Sequence, residues 1–360
     1  MDSLFSDILS NFWLDSPPVS CEIFGCGHVN KTYLVVTETG HRYTLQKIGP
    51  AFKDVHALQD NIAAVIKHLH EKTPEKHGAL TLIPTTEGED HYHAPDGHTW
   101  RMYEFIEDGI CLEAAQSPMD FYQAAIAFGT FQQQLKDFPA HTLYETIPEF
   151  HNTIDRYRIF HEALEKDVMG RAKDVQAEIE FALAREKEAA TLVELLEAGK
   201  LPLRVTHNDT KINNVLFHPE TKASMIVVDL DTVMPGLMGH DFGDAIRFAA
   251  NFVEEDCRDY EKVGVDLEVF RAFAEGFLSK TAKTVTPKEL DTLALSCFVL
   301  TAELATRFLA DYLDGDLYFK TNAPDHNLVR TRCQIALAKD MLKKMDRMEA
   351  IVRECAVFVK

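Results

Sequence analysis

The stretch Arg204–Phe217, RVTHNDTKINNVLF, sets eight consecutive residues, His207 to Asn214, between two apolar runs; all but Ile212 are polar. The flanks, LRVTH and NVLFH, have the short apolar pattern of buried strands. A plain hairpin turn between them would want Gly or Pro, and this turn has neither. It holds instead an aspartate, a lysine and three amide side chains. Such a loop is built for chemistry rather than for reversal alone.

His207-x-Asp209 followed by Asn214 places a carboxylate and an amide five residues apart. Phosphoryl transfer uses such a pair, a carboxylate to orient the attacking hydroxyl and take its proton, and an oxygen ligand for magnesium. Twenty residues after Asp209, IVVDLDT brings Asp229 off the end of an apolar strand, where a second magnesium-binding carboxylate belongs. Upstream, FGCGHVNKTYLV sets Gly25 and Gly27 between two strands, where the backbone can approach a ligand and present N–H groups to phosphate. Each feature has a plain alternative: Asx-turn capping for Asp209 and Asn214, helix-start capping for Asp229, a bulged hairpin for the glycines. Their order and spacing together favour the chemical reading.

Composition bounds the classes. The 360 residues are 46% hydrophobic, enough for one large or two ordinary cores. With 57 acidic against 37 basic residues the net charge is −20, which argues against a nucleic-acid or anionic-membrane surface. The start, MDSLFSDILSNFWLDS, is acidic and amphipathic, with Leu4, Phe5, Ile8, Leu9 and Phe12 on one stripe, and lacks the pattern of a signal peptide. No stretch reads as the ~18 apolar residues that a membrane span needs. Seven scattered cysteines without C-x-x-C suit reduced thiols, so a cytoplasmic location is expected. His91 and His93, in HYH, hint at metal, but with no Cys or acidic partner pattern a hairpin closed by Asp96-Gly97 is the simpler account.

The first hundred residues read as strands with one helix over 55–70; LTLIPTT and HTWRMYEFI close that region as strands. From about Glu107 helical patterns take over, at 119–137, 174–197, 287–313 and from about 326. The expected organisation is α+β and bilobal: a small β-rich N-terminal lobe over 1–106, a larger mostly helical C-terminal lobe over 107–360, and a cleft between.

The H-x-D-x-x-x-x-N and I-x-x-D elements resemble the aminoglycoside phosphotransferase and choline kinase superfamily, which has a protein-kinase-like fold. More closely, GHVNKTYLV, RVTHNDTKINNVL, DLDTVMPG, HDFGDAIRF and RFLADYLDGDLYF are similar to bacterial N-acetylhexosamine 1-kinases. The resemblance spans about 24–332. It implies ATP and Mg2+, Asp209 as catalytic base, Asn214 and Asp229 as magnesium ligands, and Asp231 as an accessory carboxylate near metal or substrate. His207 would brace the loop, and Asp244 would be the buried aspartate that hydrogen-bonds it. Gly25, Gly27, His28 and Asn30 would belong to the nucleotide cover.

One departure stands in RYTLQKI, where Gln46 occupies the place of the lysine that holds the α/β-phosphates. Lys47 follows, but strand alternation points it to the opposite face. Lys211, two residues past Asp209, is the alternative cation; its plain role is a solvated loop lysine. No glutamate partner for the missing lysine is identifiable in 55–71. Glu104 and Ile106, in WRMYEFIEDG, are the main-chain candidates for holding adenine. On the acceptor side, Arg307 lies one helical turn from Glu303 and from Asp311, where i,i+4 salt bridges are the plain reading. The functional reading aims Arg307 and Tyr318 at a sugar, with His28 covering it. The expected reaction is ATP plus GlcNAc or GalNAc giving the sugar 1-phosphate. The alternatives are choline, homoserine or an aminoglycoside as acceptor, or a non-catalytic nucleotide-binding pseudokinase. No activation segment of a protein kinase is present, and DFG at 241–243 reads as a decoy. Neither nucleic acid nor membrane is an expected partner.

Overall fold

A computed structural model describes residues 3–25, 30–50, 52–73 and 78–358. Gly27 and His28 lie outside them.

The chain opens with α1 (Ser3–Leu9) and then β1 (Pro18–Ile23), β2 (Lys31–Thr37) and β3 (Arg42–Lys47). After α2 (Val55–Lys72) come β4 (Tyr92–His93) and β5 (Thr99–Glu104). These strands form one antiparallel sheet in the order β1-β2-β3-β5-β4. Alternation sorts its side chains. Val35, Leu45, Trp100 and Met102 face Ile8, Leu9 and Phe12 from the N-terminal segment, so the amphipathic start is buried as the stripe suggested. Gln46 pairs in register with Arg101, and both point to the other side, toward α2. Helix α2 starts where the Asp54 carboxylate accepts the Ala57 N–H, and buries Leu58, Ile62, Val65, Ile66 and Leu69. LTLIPTT is not a regular strand; it touches the sheet through isolated Leu82–Tyr103 pairing.

The larger part is helical: α3 (Pro118–Gln134), α4 (Thr153–Lys166), α5 (Gln176–Glu197), α6 (Met238–Ala249), α7 (Leu267–Thr281), α8 (Pro287–Asp314) and α9 (His326–Phe358). Short strands interrupt it. Strands β6 (Ile110–Cys111), β8 (Val215–Phe217) and β9 (Ser224–Val227) make one sheet, and β7 (Arg204–Thr206) pairs with β10 (Met234–Gly236). The α+β arrangement expected from the sequence is thus what forms: a small antiparallel sheet followed by a larger helical part. Helices α4, α6 and α7 were not read from the sequence.

Helix α8 is the spine of this part. Pro287 follows the Thr286 cap, Glu289 closes a capping box, and Gly315 ends the helix in a left-handed conformation at φ 99°. By length and hydropathy it is long and apolar enough to cross a membrane, the one such helix among the described residues, against the sequence expectation. Its apolar stretch, however, is 83% buried inside the fold, so its hydrophobicity serves the core.

Candidate active site

The loop between β7 and β8 is held from below by α6. Asp241 is fully buried and takes the His207 N–H on Oδ2 (3.0 Å) and the Asn208 N–H on Oδ1 (2.8 Å). Gln132 Nε2 donates to the same Oδ2 at 2.6 Å. Burial pushes the Asp241 carboxyl up, against those N–H groups and His207. One turn on, Asp244 takes the Thr210 N–H at 3.1 Å and is paired with Arg247 at 2.9 Å. Burial opposes its ionisation, but Arg247 and then Lys211 hold it below the usual carboxylate range. The role expected of Asp244 is therefore shared, and its larger part falls to Asp241. The first residue of the supposed decoy is the main brace of the loop.

With those N–H groups tied, Asn208 adopts a left-handed φ of 64°. Its amide donates to the Thr232 carbonyl (2.9 Å), while the Thr232 hydroxyl donates to the His207 carbonyl (2.6 Å). The His207 ring packs against Phe128 and Phe131. Its Nδ1 accepts the Asp209 N–H at 3.3 Å, which leaves the proton on Nε2 to donate to Val228 O at 2.9 Å. The imidazole is thereby committed to bracing. It fixes Asp209 directly and the approach to Asp229 through β9.

Asp209 is left partly exposed, with one oxygen 2.9 Å from Lys211 Nζ and the other 3.0 Å from Asn214 Nδ2. The same Asn214 nitrogen donates to the Asp209 carbonyl at 2.8 Å, so among the described residues the amide oxygen of Asn214 is left to take a ligand. Burial works against the Lys211 ammonium, yet Asp209 outweighs it and raises the pKa. Asp229 sits after β9 in a left-handed conformation, φ 58°. It reaches solvent, but the surrounding protein and then the neighbouring Asp231 push its carboxyl well above the usual range. Asp209 adds to this. Carboxylates gathered in this way call for a cation.

Arg101 supplies one from the N-terminal sheet, and the sequence reading missed it. Its side chain is 1% exposed, with Nη2 2.5 Å from Asp231 Oδ1 and the guanidinium over the Tyr103 ring. Burial opposes the charge, but Asp231 outweighs it, so Arg101 is held protonated. Asp231 Oδ2 accepts Asn30 Nδ2 at 2.5 Å, and Asn30 Oδ1 accepts the Gly49 N–H at 2.9 Å. Both oxygens of Asp231 are thus taken by the N-terminal part. Through these contacts Asp231 and Asn30 link the two parts. Gln46 is committed likewise: Oε1 accepts Arg101 Nε and Nη2 (3.0 and 2.8 Å), and Nε2 donates to Thr32 at 3.2 Å. It orients a cation where a lysine was missing. Lys47 points the other way, over Trp100.

Gly25 is left-handed at φ 75° with open space where a side chain would project. Glu104 ends β5 with its N–H on the Thr81 carbonyl. Ile106 follows, buried, its N–H and carbonyl without a hydrogen-bond partner among the described residues.

On the acceptor side Arg307 pairs with Glu303 at 3.3 Å and is flanked by Phe150, Tyr318 and Phe319, 5.4–5.8 Å from each ring. The expected pair with Asp311 does not form. Asp311 instead takes the N–H groups of Leu317, Tyr318 and Phe319, shaping the turn that presents Tyr318, which is 69% exposed. Glu303 also binds His151 Nδ1 at 3.1 Å, and His151 packs on His240 of α6. Burial opposes Glu303 ionising, but His151 and Arg307 hold its carboxyl below the usual range. A pocket of about 120 Å³ has Phe150, His151, His240 and Asn208 on its walls, linking the Arg307 group to the residue beside Asp209.

Residues 20–273 match the family described as the phosphotransferase enzyme family. Similar solved structures include an aminoglycoside phosphotransferase from Alicyclobacillus acidocaldarius, at TM-score 0.60 and 14% identity over 98% of this chain and 96% of that one. A spectinomycin phosphotransferase in complex with ADP and spectinomycin matches at TM-score 0.59 and 13% identity, over 96% and 99%. A choline kinase from Cryptosporidium parvum matches at TM-score 0.56 and 15% identity, over 94% and 93%. At such identities these three speak to the fold alone. The family match covers most of the chain, including the Asp209 loop and Asp229, and on it this protein belongs to the phosphotransferase enzyme family.

Proposed function

We propose that this phosphotransferase moves the terminal phosphoryl group of ATP to the anomeric hydroxyl of an N-acetylhexosamine, GlcNAc or GalNAc, giving the sugar 1-phosphate and ADP. The observation that carries the phosphotransfer reading is the Asp209 carboxylate, open to the cleft between Lys211 and Asn214, with Asp229 at hand. Asp209 takes the proton of the attacking hydroxyl as the new O–P bond forms, and the bond to the bridging oxygen of ADP breaks with its electron pair. Lys211 lies beside that charge transfer.

Asn214 Oδ1 and Asp229 form an oxygen donor set beside the Asp209 carboxylate, and this gathering of oxygens with excess negative charge fits Mg2+. Bound there, the ion would neutralise the triphosphate. Arg101 adds positive charge nearby, and Gln46 aims it. The main chain of Ile106 after β5, without a hydrogen-bond partner among the described residues, suits adenine. The sugar reading is supported by the resemblance of RVTHNDTKINNVL and RFLADYLDGDLYF to N-acetylhexosamine 1-kinases. It is also supported by Arg307 set among Phe150, Tyr318 and Phe319, a polar group within rings that suit a sugar face. Burial first, and then the charge of Arg307, lower the Arg156 pKa, and two guanidinium groups in this region disfavour a cationic acceptor such as choline. We place the reaction in the cytoplasm, where ATP is supplied.

The test is ADP release with ATP and Mg2+ across N-acetylhexosamines, free hexoses, choline, homoserine and kanamycin, followed by phosphorus NMR of the product. Turnover of N-acetylhexosamine with phosphate coupled to H1 is expected, and a 1-O-methyl glycoside should be inert. Turnover confined to choline or kanamycin would remove the sugar reading and leave the phosphotransferase standing.

A further inference from the structure

Three imidazoles that the phosphotransfer chemistry does not use meet where α2 approaches the edge of the N-terminal sheet. His91 directly precedes β4 and His93 ends it, two residues on. His56, from the first turn of α2, closes the trio. Ring centroids are 5.0 Å apart for His56–His91, 5.2 Å for His56–His93 and 4.9 Å for His91–His93. One ring nitrogen from each lies within 4.8 Å of the other two. Among the described residues none of the three is hydrogen-bonded or ion-paired to Asp209, Asn214 or Asp229.

From this geometry we propose that His56, His91 and His93 form a binding site for a borderline divalent transition metal, of which Zn2+ is the probe, tying α2 to the β4–β5 hairpin. Two details of the trio point to a ligand rather than to packing. His93 Nδ1 is engaged by the Thr99 hydroxyl at 2.8 Å, which fixes the ring and leaves Nε2 as the ligand atom; metal-binding histidines are commonly held through their second nitrogen in this way. His91 Nδ1 is buried with no hydrogen-bond partner among the described residues. An orphaned imidazole nitrogen facing two more imidazoles gains most from a shared cation. Zn–N bonds of ~2.0–2.1 Å in a tetrahedral site set the nitrogens roughly 3.3 Å apart. His56 is exposed, so its side chain can rotate to close that distance.

The chemistry selects the metal class. Neutral imidazole donors suit Zn, Ni, Cu and Co, whereas Mg2+ and Ca2+ prefer oxygen. Three protein ligands leave a fourth position. Water can occupy it, and Glu89 and Asp60, the latter one turn along α2 from His56, add negative charge near His91 that favours a cation. The sequence placed His91 and His93 in a hairpin without a partner; the third ligand is 35 residues upstream of His91, and only the packing of α2 on the sheet supplies it.

Equilibrium dialysis and calorimetry of the untagged full chain with Zn2+ should give one site per chain, with no competition from Mg2+. Co2+ at the same site should show the visible absorption of tetrahedral imidazole ligation. Losing an outer-shell partner costs ~10–100-fold in metal affinity, so His91→Ala, which removes a ligand, should weaken binding by ~100-fold or more. His56→Ala alters an exposed residue, and should also abolish the Zn2+-induced rise in melting temperature while far-UV circular dichroism stays native. Unchanged stoichiometry and affinity in both variants, or no Zn2+ retained by the wild-type chain, would overturn the assignment.

Discussion

At the scale of single residues, charge compensation decides what each group can do. Asp209→Asn keeps the shape and removes the proton acceptor. General-base contributions of ~10²–10⁴-fold set the expected loss of turnover, read by ADP release, with nucleotide binding retained. Lys211 is 2.9 Å from Asp209, whereas Lys47 lies over Trp100 on the other face. Lys211→Ala should therefore reduce turnover more than Lys47→Ala; the reverse order would mean that the phosphates lie elsewhere. Arg101 and Asp231 form a pair that is nearly excluded from solvent. Removing one partner strands a buried charge, at about 3–5 kcal/mol, so Arg101→Met should lower the unfolding free energy by that order in urea titration. The double variant Arg101→Met, Asp231→Leu should regain most of it, because apolar replacement of a buried pair is often neutral. A double variant no more stable than Arg101→Met would show that the guanidinium matters through packing instead.

At the scale of elements, the catalytic loop is shaped by α6. Asp241 answers two consecutive backbone N–H groups and fixes the left-handed turn at Asn208. Asp241→Asn sets an NH2 group against one of those donors, and an unsatisfied buried group costs about 1–3 kcal/mol. Both stability and turnover should fall in Asp241→Asn, by thermal melting and ADP release, without the metal dependence that Asp229→Asn should show. Helix α6 comes this close because Gly239 and Gly243 lie against α8. A Cβ on Gly243 would sit 2.5 Å from the Ser296 carbonyl, so the glycines reflect close helix packing.

At the scale of the molecule, buried ionisable groups where α6, α8 and the 145–152 segment meet give stability a pH dependence. Burial first, and His151 next, pull His240 from 6.5 down to about 3. A histidine depressed on folding binds its proton more readily when unfolded. Its contribution to stability is whole above pH 6.5 and is lost as pH falls from there toward 3. Urea midpoints measured from pH 7.5 down to 4 should fall for the wild type, and His240→Gln should flatten that slope. Parallel slopes for the two proteins would place the acid sensitivity elsewhere.

What the sequence determined by itself was whatever depends on neighbours along the chain. The pattern of apolar residues marked α3, α5, α8 and α9 to within a few residues, because burial of these helices is written in their own sequence. Loop chemistry singled out Asp209, Asn214 and Asp229, whose spacing is local, and alternation put Gln46 and Lys47 on opposite faces. What only the tertiary structure decided is where distant charges find their partners. Arg101 meets Asp231 across 130 residues, Asp241 reaches back 34 to the His207 N–H, and His56 joins two histidines on another element. No local pattern announces such pairs. A buried charge or an orphaned nitrogen is tolerable only where packing brings it a counterpart, and that packing belongs to the folded chain as a whole.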